Sequence, residues 1–216
     1  MFNIWNFRKV SIYLQYVENM KKIKINHKKG QRPEIKLTVR RVEPNVWNMF
    51  KKEHYLTANM NKSCKCLLFE WDGIPVAFAA IINSPRCNYR WAMSISRLVV
   101  LPDYQGLSLS TKIFNFVGGI VKSLSDDEHD YRLYIKTAHS KLGNALSKNP
   151  NARGTSLDGK SSGQYAVDHD KKYKNRVTRR SYCKEYIGEP LFGYEDLMRP
   201  IKELRNEKKL SQNLEI

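Results

Sequence analysis

The runs CKCLLFEW (64–71) and IPVAFAAII (74–82) flank the dipeptide Asp72-Gly73. Asp-Gly between two β-rich apolar runs is a strong hairpin signal, because a tight two-residue turn needs positive φ at both positions. The chain is thereby committed to a sheet. The second run is apolar at successive positions rather than at alternate ones, so both of its faces must be covered, as in a central strand. Cys64 and Cys66 fall on one face of the first run, where packing is the expected use of their thiols. With Cys87 and Cys183 they form no Cys-x-x-Cys pair and have no His at zinc-like spacing, which predicts free thiols and no metal site.

Further strands are read at IKLTVRRV (35–42), AMSISRLVVL (92–101), RLYIKT (132–137) and, shorter, around YCKEYIG (182–188). Pro44 opens a helix to about Tyr55, with Trp47, Phe50 and His54 on one face. Ile113, Phe116, Val117, Ile120, Val121 and Leu124 recur at the spacing of a helix packed on a sheet. Gly118 and Gly119 inside it cost about 1 kcal/mol each relative to alanine, a cost offset if the helix backbone approaches the sheet closely. From Gly143 to Gly163 the chain is rich in Gly, Ser and Asn and reads as a long mobile loop. The element order predicts an α+β (mixed α/β) domain with helices packed on a sheet. Its core is expected over 34–190, with a flexible insertion at about 143–180. An N-terminal extension and basic arm (1–33) and a charged C-terminal tail (191–216) flank it, and Met20 is a candidate start of the domain proper.

The formal charge of +17 is far more than solubility requires. Such a field attracts polyanions: nucleic acid, an anionic membrane surface or a phosphate-rich cofactor. Residues 21–33 carry six basic and no acidic residues, and 171–184 carry seven basic and no acidic ones. In the second run Lys171, Lys172, Arg176, Arg179 and Arg180 interleave with Tyr173 and Tyr182. The N-terminus breaks its apolar residues with Arg8 and Lys9, and no segment approaches the ~20 apolar residues of a membrane span. A soluble, cytoplasmic protein is expected.

After SRLVVLPDY the sequence QGLSLS (105–110) leads into the amphipathic helix. Unpaired backbone N–H groups and the helix dipole both favour an anion at such a helix start. Strand, QGLSLS and helix in this order resemble the GNAT superfamily of acyl-CoA-dependent N-acetyltransferases, whose signature is Gln/Arg-x-x-Gly-x-Gly/Ala. Gln105 matches its first position, while Ser108 and Ser110 stand where the family has small, permissive residues. Serine keeps its backbone N–H, but its Cβ disfavours positive φ. HYL (54–56), DGIPVAFAA (72–80), SRLVVLPDYQG (96–106) and TAHSKL (137–142) look like the acetyltransferase-type domain also found joined to ABC-type ATPases. The resemblance implies a GNAT-like, mostly antiparallel central sheet with helices on both faces, and acetyl-CoA or another acyl-CoA as cofactor. It assigns Leu98, Val99, Val100, Gln105, Gly106, Leu107, Ser108, Leu109 and Ser110 to the cofactor, and implies association with an ATPase partner.

In the family's mechanism a neutral amine attacks the thioester directly. That requires a base for the amine, a backbone donor for the carbonyl oxygen and an acid for the leaving thiolate. His54 and His139 are candidate acid/base groups because histidine titrates near neutrality; helix capping is their alternative use. Tyr55 and Tyr104 are candidate proton donors. Arg97, charged in an apolar strand, faces substrate or cofactor, or lies at a surface edge. The acceptor amine is left open. His54-Tyr55 is also similar to a His-Tyr pair of the Mom family of phage DNA-modifying enzymes, which are GNAT-like. A base-modifying relative would place Lys171 to Arg180 on phosphates and stack bases on the tyrosines. A third reading is a degenerate fold that only binds nucleic acid.

Overall fold

The computed structural model describes residues 21–25, 35–54, 59–84, 89–162, 179–201 and 203. Its strands are β1 (Lys21–Ile25), β2 (Ile35–Val42), β3 (Lys65–Trp71), β4 (Ile74–Asn83), β5 (Ala92–Val100), β6 (Arg132–Thr137), β7 (Ala152–Gly154), β8 (Ser161–Ser162), β9 (Arg179–Arg180) and β10 (Tyr182–Tyr186). Helix α1 spans Leu109–Ser123 and α2 spans Ser140–Ser147. The main sheet has the order β1-β2-β3-β4-β5-β6-β10-β7, and β8 pairs with β9 in a separate ribbon. Strands β1 to β4 pair antiparallel in succession, β10 is antiparallel to β6 and β7, and β5 is parallel to β6. This is the α+β architecture that the element order predicts, with the mostly antiparallel sheet that the resemblance implies.

Two compact units are present: the described residues of Met1–Ile82, Arg97–Leu109 and Gly193–Ile216, and those of Asn83–Ser96 and Ser110–Phe192. In the first, Asp72 and Gly73 take φ of 50° and 81°, the conformation a tight Asp-Gly hairpin turn demands. The β4 residues Val76 to Ile81 are fully buried, as their unbroken apolar run requires. Cys64 and Cys66 are buried in a cluster with Val42, Leu68, Phe78 and Val99.

The expected helix from Pro44 to Tyr55 is instead a pair of 3-10 turns, Pro44–Met49 and Lys51–Glu53, and Tyr55 lies outside the described residues. Asn45, Trp47, Asn48 and Phe50 are weak helix formers, and Glu43 makes no side-chain cap. Bonds of the tighter type close the turns, from Phe50 N–H to Trp47 O (2.9 Å) and from Glu53 N–H to Phe50 O (3.0 Å). Trp47 and Phe50 still reach the core, with ring centroids 5.5 and 5.4 Å from Phe78.

Residues 21–25, expected in a basic arm, form an edge strand whose Lys22 and Lys24 oppose Thr38 and Lys36. KKIKI has the period of a strand. The expected tail is ordered at Glu195–Met198, a 3-10 turn packed against β3 with Leu197 and Met198 buried.

In the second unit, α1 buries Ile113, Phe114, Phe116, Val117, Ile120 and Val121, which includes most of the predicted face. A Cβ at Gly118 would stand 2.3 Å from the Tyr186 ring of β10, and one at Gly119 would stand 2.7 Å from Leu191. The glycine pair therefore serves close approach. Leu191 N–H donates to Gly119 O at 2.9 Å across the space a side chain would fill.

The loop expected from Gly143 begins instead inside α2. Gly143 is a packing glycine rather than a break, since its Cβ would meet the Tyr182 ring at 2.2 Å, and Leu146 is fully buried beneath the helix. Strand β7 then pairs antiparallel with β10, and the turn after β7 bonds to the same strand. Gly154 opposes Lys184, and Asp158 accepts from Cys183 N–H (2.9 Å) and from the Lys184 ammonium (2.6 Å).

Candidate functional site

Strand β5 carries the site. Its register with β6 runs from Ala92↔Arg132 to Ile95↔Ile135, so Ser96–Val100 continue beyond that ladder. Leu101 N–H then bonds to Val76 O (3.0 Å), and Pro102–Tyr104 form a single 3-10 turn. Gln105 is extended, Gly106 has φ of 84° and Ser108 has φ of 59°. Two left-handed residues with one residue between them deliver the chain into α1, whose first residue, Leu109, is buried and anchors the turn.

Among the described residues, Asp72 and Ser108 are the non-glycine positions with positive φ. Ser108 thus adopts a conformation that glycine would favour. At Gly106 nothing lies within 4 Å of where a Cβ would be, so the turn opens to solvent there. The Gln105 side chain turns back, its amide donating to Val100 O at 3.1 Å. Gln105 therefore ties the turn to the strand end through its side chain. Tyr104 is half-buried, its ring 6.2 Å from that of Trp71 in an edge contact.

A second cluster lies in the same unit. His54 leaves the second 3-10 turn in an extended conformation, half-buried, and its imidazole meets the Trp47 indole edge-on with centroids 5.4 Å apart. Arg97 of β5 is half-buried, with Cζ 6.0 Å from the Trp47 ring centroid. Its Nη2 donates to the Asn59 carbonyl. Two predicted residues, His54 and Arg97, thus meet on Trp47. The helical pattern had already placed Trp47 and His54 on one face; the part played by Asn59 and Trp71 had no signal in the sequence, since it depends on strand ends brought together by the fold.

His139 lies in the second unit, at the start of α2. Its Nδ1 accepts from Leu142 N–H (3.3 Å), so the ring caps the helix. Arg180 is exposed, with Cζ 5.8 Å from the Tyr182 ring centroid. Arg179 lies in β9, while Lys171, Lys172 and Arg176 lie outside the described residues.

Electrostatics near the sheet are structural in kind. Arg40 and Glu70 form a buried pair on neighbouring strands, with Nε to Oε2 at 2.8 Å. Arg41 donates to Cys66 O at 3.0 Å, and burial lowers its pKa. Burial likewise pushes the Cys66 thiol up to about 12, which keeps it protonated and inert. Among the described residues no three His, Cys, Asp or Glu side chains converge on a metal position, and no helix is long and apolar enough to cross a membrane.

Fold and loop define an α+β domain in which a left-handed turn leads from a sheet end into a helix N-terminus, a build suited to anions. No protein-family model matches the sequence, and no curated protein matches it. Among solved structures, the chain is similar to IAA acetyltransferase from Bacillus cereus, at 14% identity and a TM-score of 0.47 over 69% of this chain and 98% of that one. It is also similar to the ribosomal-protein-S18-alanine N-acetyltransferase from Escherichia coli, at 11% identity and 0.48 over 73% and 97%. A GNAT-family acetyltransferase from Streptococcus pneumoniae matches at 14% identity and 0.47 over 70% and 99%.

Proposed function

We propose that the chain is a GNAT-type N-acyltransferase that uses acetyl-CoA or another acyl-CoA. The observation that carries this reading is the turn Gln105–Ser110. Gly106 and Ser108 take left-handed φ, leave open space where a Cβ at Gly106 would be, and lead directly into the first turn of α1. The first N–H groups of any α-helix lack intrahelical acceptors, and with the turn's own N–H groups they suit a pyrophosphate. Gln105–Ser110 would hold that group. When bound, the cofactor supplies an activated acyl thioester.

The chain's own residues serve the rest. The backbone of Leu98–Val100, beyond the β6 ladder, would offer an N–H to the acyl oxygen. His54 would take the proton that the attacking amine loses as its nitrogen bonds to carbon, and Tyr104 would supply one to the sulfur whose bond to carbon breaks. The charge of +17 supports anionic acceptors, nucleic acid among them, and the exposed Arg180 against Tyr182 is the kind of pair that holds a phosphate beside a stacked base. A Mom-like base modifier would need such an acceptor, and an ATPase partner would be sought as a separate chain.

The test is a thermal-shift and calorimetric titration with acetyl-CoA and CoA. Acyl-CoA at 100 times its Kd should stabilise the fold by about 2.7 kcal/mol. No response at millimolar acetyl-CoA, from either the native protein or Ser108→Gly, would remove the reading and leave a nucleic-acid-binding module in its place.

A further inference from the structure

The Trp47, His54, Asn59 and Arg97 cluster has a feature that acyl transfer alone does not call for. Arg97 sits on β5 between the buried Ile95 and Val99, next to the Leu98–Val100 backbone. A guanidinium half-buried on an apolar strand loses hydration, so its retention there asks for a use. Its plane is set from two sides, by the Asn59 carbonyl at Nη2 and by the Trp47 ring 6.0 Å from Cζ. The same indole holds the His54 imidazole edge-on, 5.4 Å away. A guanidinium of fixed plane and an imidazole therefore share one aromatic support.

A fixed guanidinium plane is what two-point recognition of carboxylate or phosphate requires, and it is where arginine differs from lysine. The imidazole is suited to the other end of the same molecule, its amine. We propose that the acceptor is a small amine that also carries an anionic oxygen group, a carboxylate or a phosphate, gripped by Arg97 while its nitrogen faces His54. This inference rests on the acyltransferase reading. Strand geometry limits the ligand: Arg97 and Val100 are three residues apart, about 10 Å along a strand, so amine and anion are separated by no more than about that length.

The experiment is calorimetric titration of β-alanine, phosphoethanolamine and uncharged propanolamine into the full chain, with and without saturating CoA. It is paired with acetyl transfer to the same three amines. The native protein should bind one or both anionic amines at least about tenfold more tightly than propanolamine, and which one does so distinguishes carboxylate from phosphate. Arg97→Gln should erase that preference and raise KM for the anionic amines more than it lowers kcat. Arg97→Lys should recover part of it for phosphate and less for carboxylate. His54→Gln should lower kcat and keep the preference. Circular dichroism and a melting curve check that each variant folds. Equal affinity for all three amines in the native protein, or a preference that survives Arg97→Gln, overturns the inference and leaves the acyltransferase reading standing. No heat with acetyl-CoA removes that reading and this one together.

Discussion

Ser108 carries the strain of the turn before α1. A non-glycine residue at its φ of 59° costs roughly 1–2 kcal/mol, whereas glycine there costs about 0.5–1 kcal/mol in chain entropy. The difference decides the sign: Ser108→Gly should raise stability by about 0.5 kcal/mol and hold acyl-CoA at least as tightly. Gly106 isolates the same physics in reverse. With φ of 84° and nothing within 4 Å of a Cβ, Gly106→Ala meets no steric obstacle, so its loss of about 1 kcal/mol is conformational. Urea unfolding reads both changes as shifts of midpoint at unchanged m. An unchanged midpoint in Gly106→Ala would mean that the turn is not held left-handed in solution. At this scale the sequence was legible where side-chain chemistry dictates backbone, as at Asp72-Gly73. At His139 it offered helix capping as the alternative to acid/base work, and the ring does cap, though by accepting an N–H at a helix start rather than by donating to carbonyls at a helix end.

At the scale of elements, the period of apolar residues found β2, β5, β6 and α1, and the two glycines of α1 announced their close packing. The same reasoning misplaced Gly143, because a glycine selected for contact and a glycine selected for flexibility look alike until the partner ring is known. Propensity and packing make opposite predictions at Gly118. Alanine should stabilise a helix interior by about 1 kcal/mol, but here its Cβ falls 2.3 Å from the Tyr186 ring. Packing should win, with Gly118→Ala costing about 2–3 kcal/mol and Gly118→Ala/Tyr186→Ala recovering part of the loss in a double-variant cycle. A stabilised single variant would show that α1 sits farther from β10. The turn after β7 gives a pH-dependent counterpart. Burial opposes ionisation of Asp158, but the Lys184 ammonium and the Cys183 N–H outweigh it and hold the carboxyl below its ordinary value. A folded-state pKa below the unfolded value of about 3.9 stabilises the fold above that pH, and the contribution is lost as pH falls through the folded value. Asp158→Asn should therefore cost about 2 kcal/mol at pH 7, less than a fully buried pair because the Asp158 side chain is 25% exposed. In urea melts the gap to the native protein should begin to narrow below about pH 5 and keep narrowing as the pH falls through the folded-state value. A gap constant across that range would show that the pair contributes nothing in the folded state.

At the scale of the whole molecule, the charge of +17 asks whether the chain has one use for phosphate or two. Several cations are already committed to carboxylates: Arg40 to Glu70, Arg153 to Glu185, and Lys184 to Asp158. The excess lies elsewhere, in exposed residues such as Lys51, Lys148, Lys160 and Arg180 and in the basic run up to residue 180. A pyrophosphate turn recognises its ligand by backbone geometry and responds weakly to bulk charge, whereas surface lysines and arginines bind by releasing counterions and respond steeply to salt. These two dependences separate the two uses. Fluorescence anisotropy with a 20-nucleotide single strand should show binding at 50 mM salt that weakens on a log-log slope of about −0.7 per phosphate neutralised. Gly106→Ala should weaken acetyl-CoA binding and leave that slope where it was. A slope near zero, or no binding at 50 mM, would assign the charge to a solvated surface. A slope that changes with Gly106→Ala would mean that nucleic acid enters through the turn itself, and the acyl-CoA reading would then have to share its loop with the strand.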